Sequence, residues 1–247
     1  MKNFRLLSIF FPLILVSCMG PKIDNIVRDE SFTARAIETG TFWVGGITTL
    51  PTGEDLLDEL EYELTSQAGV LDSILLYRLI ERFPVIDIRP TAELRVLLGD
   101  KNYRQITTIY RGGAAFSGDA KILVSAIHPD SNKFLLFVRF ERDRLSHREI
   151  SIDSGKTTTY FTFRETAAAI QIYRTSDFHL VWNGNVQVKV KTTNEYKEPN
   201  EGFLEGLAKD IILGESEAEP GYPEPASLSV ICNRIFSKFA ENLAIRK

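Results

Sequence analysis

From Lys133 to Lys191 the chain alternates apolar and polar side chains in three successive blocks, which restricts the fold more than anything else in the sequence. In 133–143, Phe134, Leu136, Val138 and Phe140 fall at every second position, the period that puts them on one face of a pleated strand. Ala168, Ile170 and Ile172 repeat the pattern in 160–174. In 180–191, Val186, Val188 and Val190 alternate with Gln187, Lys189 and Lys191. The connections Asp153-Ser154-Gly155 and Thr175-Ser176-Asp177 are short and made of turn residues, so the three strands should pair antiparallel in order. The segments before and after this block read mostly as helix. The predicted class is α/β, of the α+β type: a mixed sheet with an antiparallel three-stranded meander over about 133–191, packed by helices.

The first residues are read as a targeting signal. Met1 to Arg5 is short and basic, and Leu6 to Val16 is apolar and uncharged. That run is shorter than the roughly 20 apolar residues that span a bilayer. It ends in Leu15-Val16-Ser17-Cys18, which resembles the lipobox of bacterial lipoproteins. The resemblance implies cleavage after Ser17 and acylation of Cys18, with acyl chains worth about 0.8 kcal/mol per buried methylene holding the protein on a membrane. Met19 stands where an aspartate would be an inner-membrane retention signal, which directs the expectation to the outer membrane, facing the periplasm. The plain reading, a secretory signal with an incidental cysteine, remains beside it.

The domain reading follows: a signal peptide at 1–17, a lipid-anchored tether at 18–40, and a single α/β domain at 41–247 with an acidic excursion at 198–224. The excursion holds eight acidic residues against one lysine. The chain has two cysteines, Cys18 and Cys232, so lipidation of the first leaves the second unpaired and excludes a disulfide framework. Cys232, among Ile231, Ile235 and Phe236, is expected to be a small buried apolar residue. The formal net charge of −4 becomes −6 once Lys2 and Arg5 leave with the signal, an acidic balance that argues against a nucleic-acid partner.

Thr41–Thr49 is a strand by its β-branched and aromatic content. Gly45-Gly46 inside it lacks the spacing of a phosphate loop and suits a bulge or a closely packed helix. Leu56, Leu57, Leu60 and Leu64, then Leu71, Ile74, Leu75 and Leu79, predict two helical pieces hinged near Gly69. The acidic group Asp58, Glu59, Glu61 and Glu63 has no histidine beside it and reads as a solvated helix face, not a metal site. A short strand is expected over Phe83–Ile88, helices over 91–98 and 101–110, a third capped by Ser117, and a closing amphipathic helix over 225–243.

Residues with catalytic chemistry are sparse. His128, His147 and His179 share no spacing, and there is no GxSxG elbow. Glu141, Asp143 and Glu165 are expected to form solvent-facing cross-strand pairs with Arg139, Arg142, Arg144 and Arg164. Trp43 and Trp182 are expected in the core. No catalytic residue, metal ligand or cofactor is assigned, and Cys18 is the one site residue named, for lipidation.

Phe42-Trp43-Val44-Gly45-Gly46 as a first strand, Arg82-Phe83-Pro84-Val85-Ile86-Asp87 as a helix-to-strand exit, and the hairpin from Ile170 to Asp177 ending in Leu180-Val181-Trp182 carry a family resemblance. Their order resembles a group of lipid-anchored envelope proteins: the curli-secretion lipoproteins, the lipoprotein activators of penicillin-binding proteins, and the N-terminal domain of the Tol periplasmic component. The resemblance covers 41–192. The chain departs from it by helices at 91–127 and by the acidic segment. The lipid anchor, the tether and the sparse catalytic chemistry lead to the expectation of a cell-envelope lipoprotein that binds an envelope protein partner as an accessory or assembly factor, without catalysis. The alternatives are a self-assembling ring or secretion-channel component of the outer membrane, which would be an oligomer, and an unrecognised envelope enzyme.

Overall fold

The computed structural model describes residues 20–50, 55–112, 133–152, 157–197 and 221–244. Cys18, His128, the Ser117 helix, most of the acidic excursion and the side chains of Asp58 and Glu59 lie outside the described residues.

A six-stranded mixed sheet is built from β1 (Lys22–Arg28), β2 (Thr41–Thr49), β3 (Asp87–Arg89), β4 (Lys133–Ile152), β5 (Thr157–Arg174) and β6 (Leu180–Lys197). Its strand order is β1-β6-β5-β4-β2-β3. β2 runs parallel to both of its neighbours, β3 and β4, and the remaining pairs are antiparallel. Five helices accompany the sheet among the described residues: α1 (Ala34–Thr39), α2 (Asp55–Arg82), α3 (Thr91–Leu98), α4 (Asp100–Arg111) and α5 (Leu228–Leu243). The α/β class and the meander hold, with the three meander strands reaching Lys197.

Helices cover both faces of the sheet near its middle, and the sequence of β4 shows why. Phe134, Leu136, Val138 and Phe140 enter a core shared with α2 and α5, while Leu135 and Phe137 point the other way into a smaller cluster with Leu94, Leu98, Ile106 and Tyr110 of α3 and α4. A strand buried on both faces reads as a continuous apolar run, as 134–138 does. Trp182 is fully buried against Phe239 of α5, ring centroids 5.0 Å apart.

β2 bulges between Val44 and Gly46. A Cβ on Gly45 would lie 2.3 Å from the Phe137 ring, and Gly46, at φ +151°, faces the Tyr103 hydroxyl of α4. The glycine pair therefore serves both as a bulge and as the seat of a closely packed helix.

Three expectations change. The stretch expected as a tether is ordered from Lys22 onward. β1 pairs with β6 from Lys22↔Gln187 to Arg28↔Trp182, and Phe32 and Ile37 are buried, Phe32 with its ring edge-on to Phe42 and Phe134. An edge strand with mostly exposed side chains carries no alternation, which hid it. Gly69 is not a hinge, because α2 runs unbroken from Asp55 to Arg82. A glycine costs a helix about 1 kcal/mol, less than is gained by burying Leu64, Leu71, Leu75 and Leu79 along one side. The strand expected over Phe83–Ile88 is confined to Asp87–Arg89, since Phe83 still bonds back to Leu79 and Ile86 to Phe83 across a turn at Pro84-Val85.

Candidate binding surfaces

A second bulge, between Phe140 and Arg142 of β4, adds Glu141 and shifts the register. The shift turns Asp143 to the face that carries the main core, opposite Thr166. There Arg164 donates from Nε to both Asp143 oxygens at 3.2 and 3.1 Å and from its amino group to Oδ2 at 2.8 Å. The same guanidinium reaches Glu63 of α2 at 3.0 Å and the Ala226 carbonyl at 3.0 Å. The Thr166 hydroxyl donates to Asp143 at 2.6 Å, and Glu63 accepts the Leu228 N–H in the first turn of α5 at 3.2 Å. Burial alone would lower the Arg164 pKa, but hydrogen bonds and charge from Asp143 and Glu63 outweigh it and raise it. Arg164 and Asp143 are therefore not a solvent-facing pair, and Glu63 is not part of a solvated face. Together they clamp the sheet to α2 and α5. Glu61 meets Arg111 of α4, while Arg142 and Glu165 do form an exposed-side pair at 2.9 Å.

On the opposite side of α2 a cleft of ≈ 490 Å³ is lined by Ile47, Leu64, Asp72, Thr91, Arg95 and Tyr103. Asp72 accepts the Thr91 N–H at 3.0 Å. Burial raises its carboxyl nonetheless. Tyr103 is pushed up to about 12 by burial and then by the Asp72 charge. Trp43, expected in the core, is half-buried beside this cleft, against Ala92 and Val96 of α3, and its buried indole N–H has no hydrogen-bond partner among the described residues. The cleft can exchange hydrogen bonds with a small polar molecule, but among the described residues no group of three or more His, Cys, Asp or Glu is placed to hold a metal ion.

The meander outgrows the rest of the sheet. β2 accompanies β4 only to Phe140, and β1 accompanies β6 only between Trp182 and Gln187. Beyond those points β4, β5 and β6 continue as a three-stranded arm. One face of the arm is covered by 221–226. Tyr222 packs on His147 and Tyr160 at 4.7 and 5.4 Å, and the carbonyls of Gly221, Pro223 and Glu224 accept from Asn194, Thr162 and Thr192. On the other face Phe161 and Phe163 lie 6.3 Å apart, each beneath a lysine ammonium: Lys191 over Phe161 at 5.1 Å and Lys189 over Phe163 at 5.0 Å.

The remaining expected residues are scattered. His147 bonds Thr162 on the arm, while His179 meets Asp29 at the other end of the sheet. Cys232 is fully buried and burial pushes its thiol up, so it is the apolar residue expected. Sequence reasoning missed the Arg164 clamp and the aromatic face. The signal for the first was present: positions 172, 170, 168 and 166 point inward, and the same parity continues to Arg164.

No family model matches the chain, and no curated protein matches it. Among solved structures it is similar to the PelC dodecamer from Paraburkholderia phytofirmans, at 10% identity and a TM-score of 0.36, over 92% of this chain and 99% of that one. A single-substitution variant of that dodecamer gives the same values. The lipoprotein GNA1162 from Neisseria meningitidis aligns at 11% identity and a TM-score of 0.24, over 70% of this chain and 94% of that one. At these scores the likeness assigns neither a family nor a function.

Proposed function

We propose that the protein is a cell-envelope lipoprotein, acylated at Cys18 and facing the periplasm from the outer membrane, which works without catalysis by binding another envelope protein. The envelope location rests on the Leu15-Val16-Ser17-Cys18 lipobox. It is compatible with the described helices, none of which is long and apolar enough to cross a membrane. The binding role rests on one observation, the three-stranded arm. Among the described residues no strand pairs with the outer side of β4 beyond Phe140 or with the outer side of β6 beyond Gln187. Free strand edges present unmet backbone donors and acceptors, the feature that strand addition by a partner uses.

The same edges favour a second reading, in which the partner is another copy of this chain and the arms assemble side by side. Chemical cross-linking in intact cells separates the two. A discrete band containing a second protein, lost or displaced in Cys18→Ala, supports the accessory factor and identifies its partner. A ladder of self-cross-links supports assembly. If the purified protein turned over an envelope substrate and single substitutions abolished that turnover, the non-catalytic reading would fail.

A further inference from the structure

The outward face of the arm is unlike the rest of this acidic chain. Phe161 and Phe163 are half-buried and stacked at an interplanar angle of 25°, with Lys189 and Lys191 lying across them. Strand register adds Arg144, opposite Glu165, and Arg148, opposite Phe161, on the same side. Glu165 on this face is held by Arg142 at 2.9 Å and approached by Lys189 at 3.9 Å, and among the described residues its other acids are Glu195 of β6 and, at the bulge, Glu141, which is held by Arg139 at 3.0 Å. Among the described residues basic side chains thus outnumber acidic ones here, although the whole chain carries a formal charge of −4. Among the described residues no ring from a helix or loop stacks on the two phenylalanines, whereas the opposite face of the arm is covered by 221–226.

Topology places this face beside the N-terminus. β1 runs antiparallel to β6 and its first residue, Lys22, pairs with Gln187, two positions from Lys189. Register puts the exposed Lys22 side chain on the same face as Gln187 and Lys189. Four residues of chain from Cys18 to Lys22 span at most about 14 Å, and Lys191, about 13 Å along β6 from Gln187, lies on the side of that pair toward which the N-terminal end of β1 points.

We propose that the Phe161/Phe163 face with Arg144, Arg148, Lys189 and Lys191 docks on the anionic phospholipid surface of the leaflet into which the Cys18 acyl chains insert. The inference rests on the lipid-anchor reading. Lysine and arginine attract acidic headgroups and fade as salt rises, while aromatic rings with long basic stems over them suit the headgroup boundary. Acyl chains and a docked sheet face are two signals, and the second fixes orientation. With the face on the lipid, the free edges of β4 and β6 lie along the membrane plane, where a partner in the same leaflet meets them.

The test uses the chain from residue 18 with Cys18→Ala, which keeps every described residue and lacks acyl chains. It is sedimented with vesicles of phosphatidylglycerol and phosphatidylethanolamine, and with pure phosphatidylcholine vesicles. The expected result is binding to the anionic vesicles only, weakening as salt rises. At roughly a fivefold effect per basic residue near the surface at low salt, Lys189→Gln with Lys191→Gln should weaken binding by roughly 30-fold. Arg234→Gln with Lys238→Gln, on α5 across the sheet, should leave it unchanged, and circular dichroism melts establish that each variant folds. A folded protein that ignores anionic vesicles, or binds them equally well after the Lys189/Lys191 change, overturns the proposal. So does binding to a soluble anionic polysaccharide with none to vesicles. Acyl labelling of Cys18 in cells is read separately: label without vesicle binding sinks the docking face alone, and vesicle binding without label sinks the anchor.

Discussion

Arg164 of β5 grips both carboxylate oxygens of Asp143 of β4, with its shortest contact at 2.8 Å, and both side chains are buried between the sheet and two helices. Neither residue can lose its partner cheaply, because a buried charge left alone has no water to turn to. Asp143→Ala or Arg164→Met should each destabilise the fold by about 3–5 kcal/mol, whereas replacing both with apolar residues should cost less than the sum. Urea unfolding of the two single variants and the double variant measures this directly.

Two glycines should respond in opposite directions. A methyl on Gly45 would sit 2.3 Å from the Phe137 ring, so Gly45→Ala forces the bulge or the ring to move and should cost about 1–3 kcal/mol. Among the described residues nothing beyond α2's own backbone lies within 4 Å of the corresponding position on Gly69, which is helical and in mid-α2, so Gly69→Ala should stabilise by up to about 1 kcal/mol. Thermal melts of both variants give the signs.

Asp29 accepts from the Ser31 hydroxyl and, at 2.8 Å, from the Ser31 N–H, and it meets His179 at 3.0 Å. These contacts, Ser31 foremost, hold its carboxyl at about 2, below the ordinary 3.8. Because the folded value is the lower one, any stability it contributes is present above 3.8 and is lost as pH falls toward 2. The group is exposed, so the effect is small. An NMR titration should give a midpoint near 2 for Asp29, returning toward 3.8 in Ser31→Ala.

Cys232 has no exposed surface and a thiol held protonated by burial. In a chain carrying Cys18→Ala, a thiol reagent should therefore label Cys232 only as fast as the protein unfolds, and fully in denaturant. Rapid labelling of the native protein would mean that α5 opens from the sheet.

The sequence carried different elements with very different clarity. β2 and α3 begin and end where expected, because each is bounded by its own punctuation: Gly40 and Leu50-Pro51 around one, Pro90 and Gly99 around the other. β1 was illegible because an edge strand that buries almost nothing leaves no alternation to read. The Arg164 clamp was hidden by one extra residue. With Glu141 in the bulge, Asp143 changes faces, so counting by twos from Phe134 puts it on the wrong side. The basic aromatic face shows a third kind of limit. Lys189 and Lys191 were assigned to the polar side of β6 correctly, yet their position over Phe161 and Phe163 depends on the β5–β6 register, which no single strand encodes.

The claim that this is a lipid-anchored envelope protein rests on Cys18, four residues before the first strand of the sheet. Growing the native host with an alkyne-labelled fatty acid and identifying the N-terminal peptide of the mature protein by mass spectrometry tests it most directly. The account predicts a mature chain beginning at acylated Cys18, with all label lost in Cys18→Ala. A mature chain that begins elsewhere, or one starting at Cys18 with a free thiol, would contradict it.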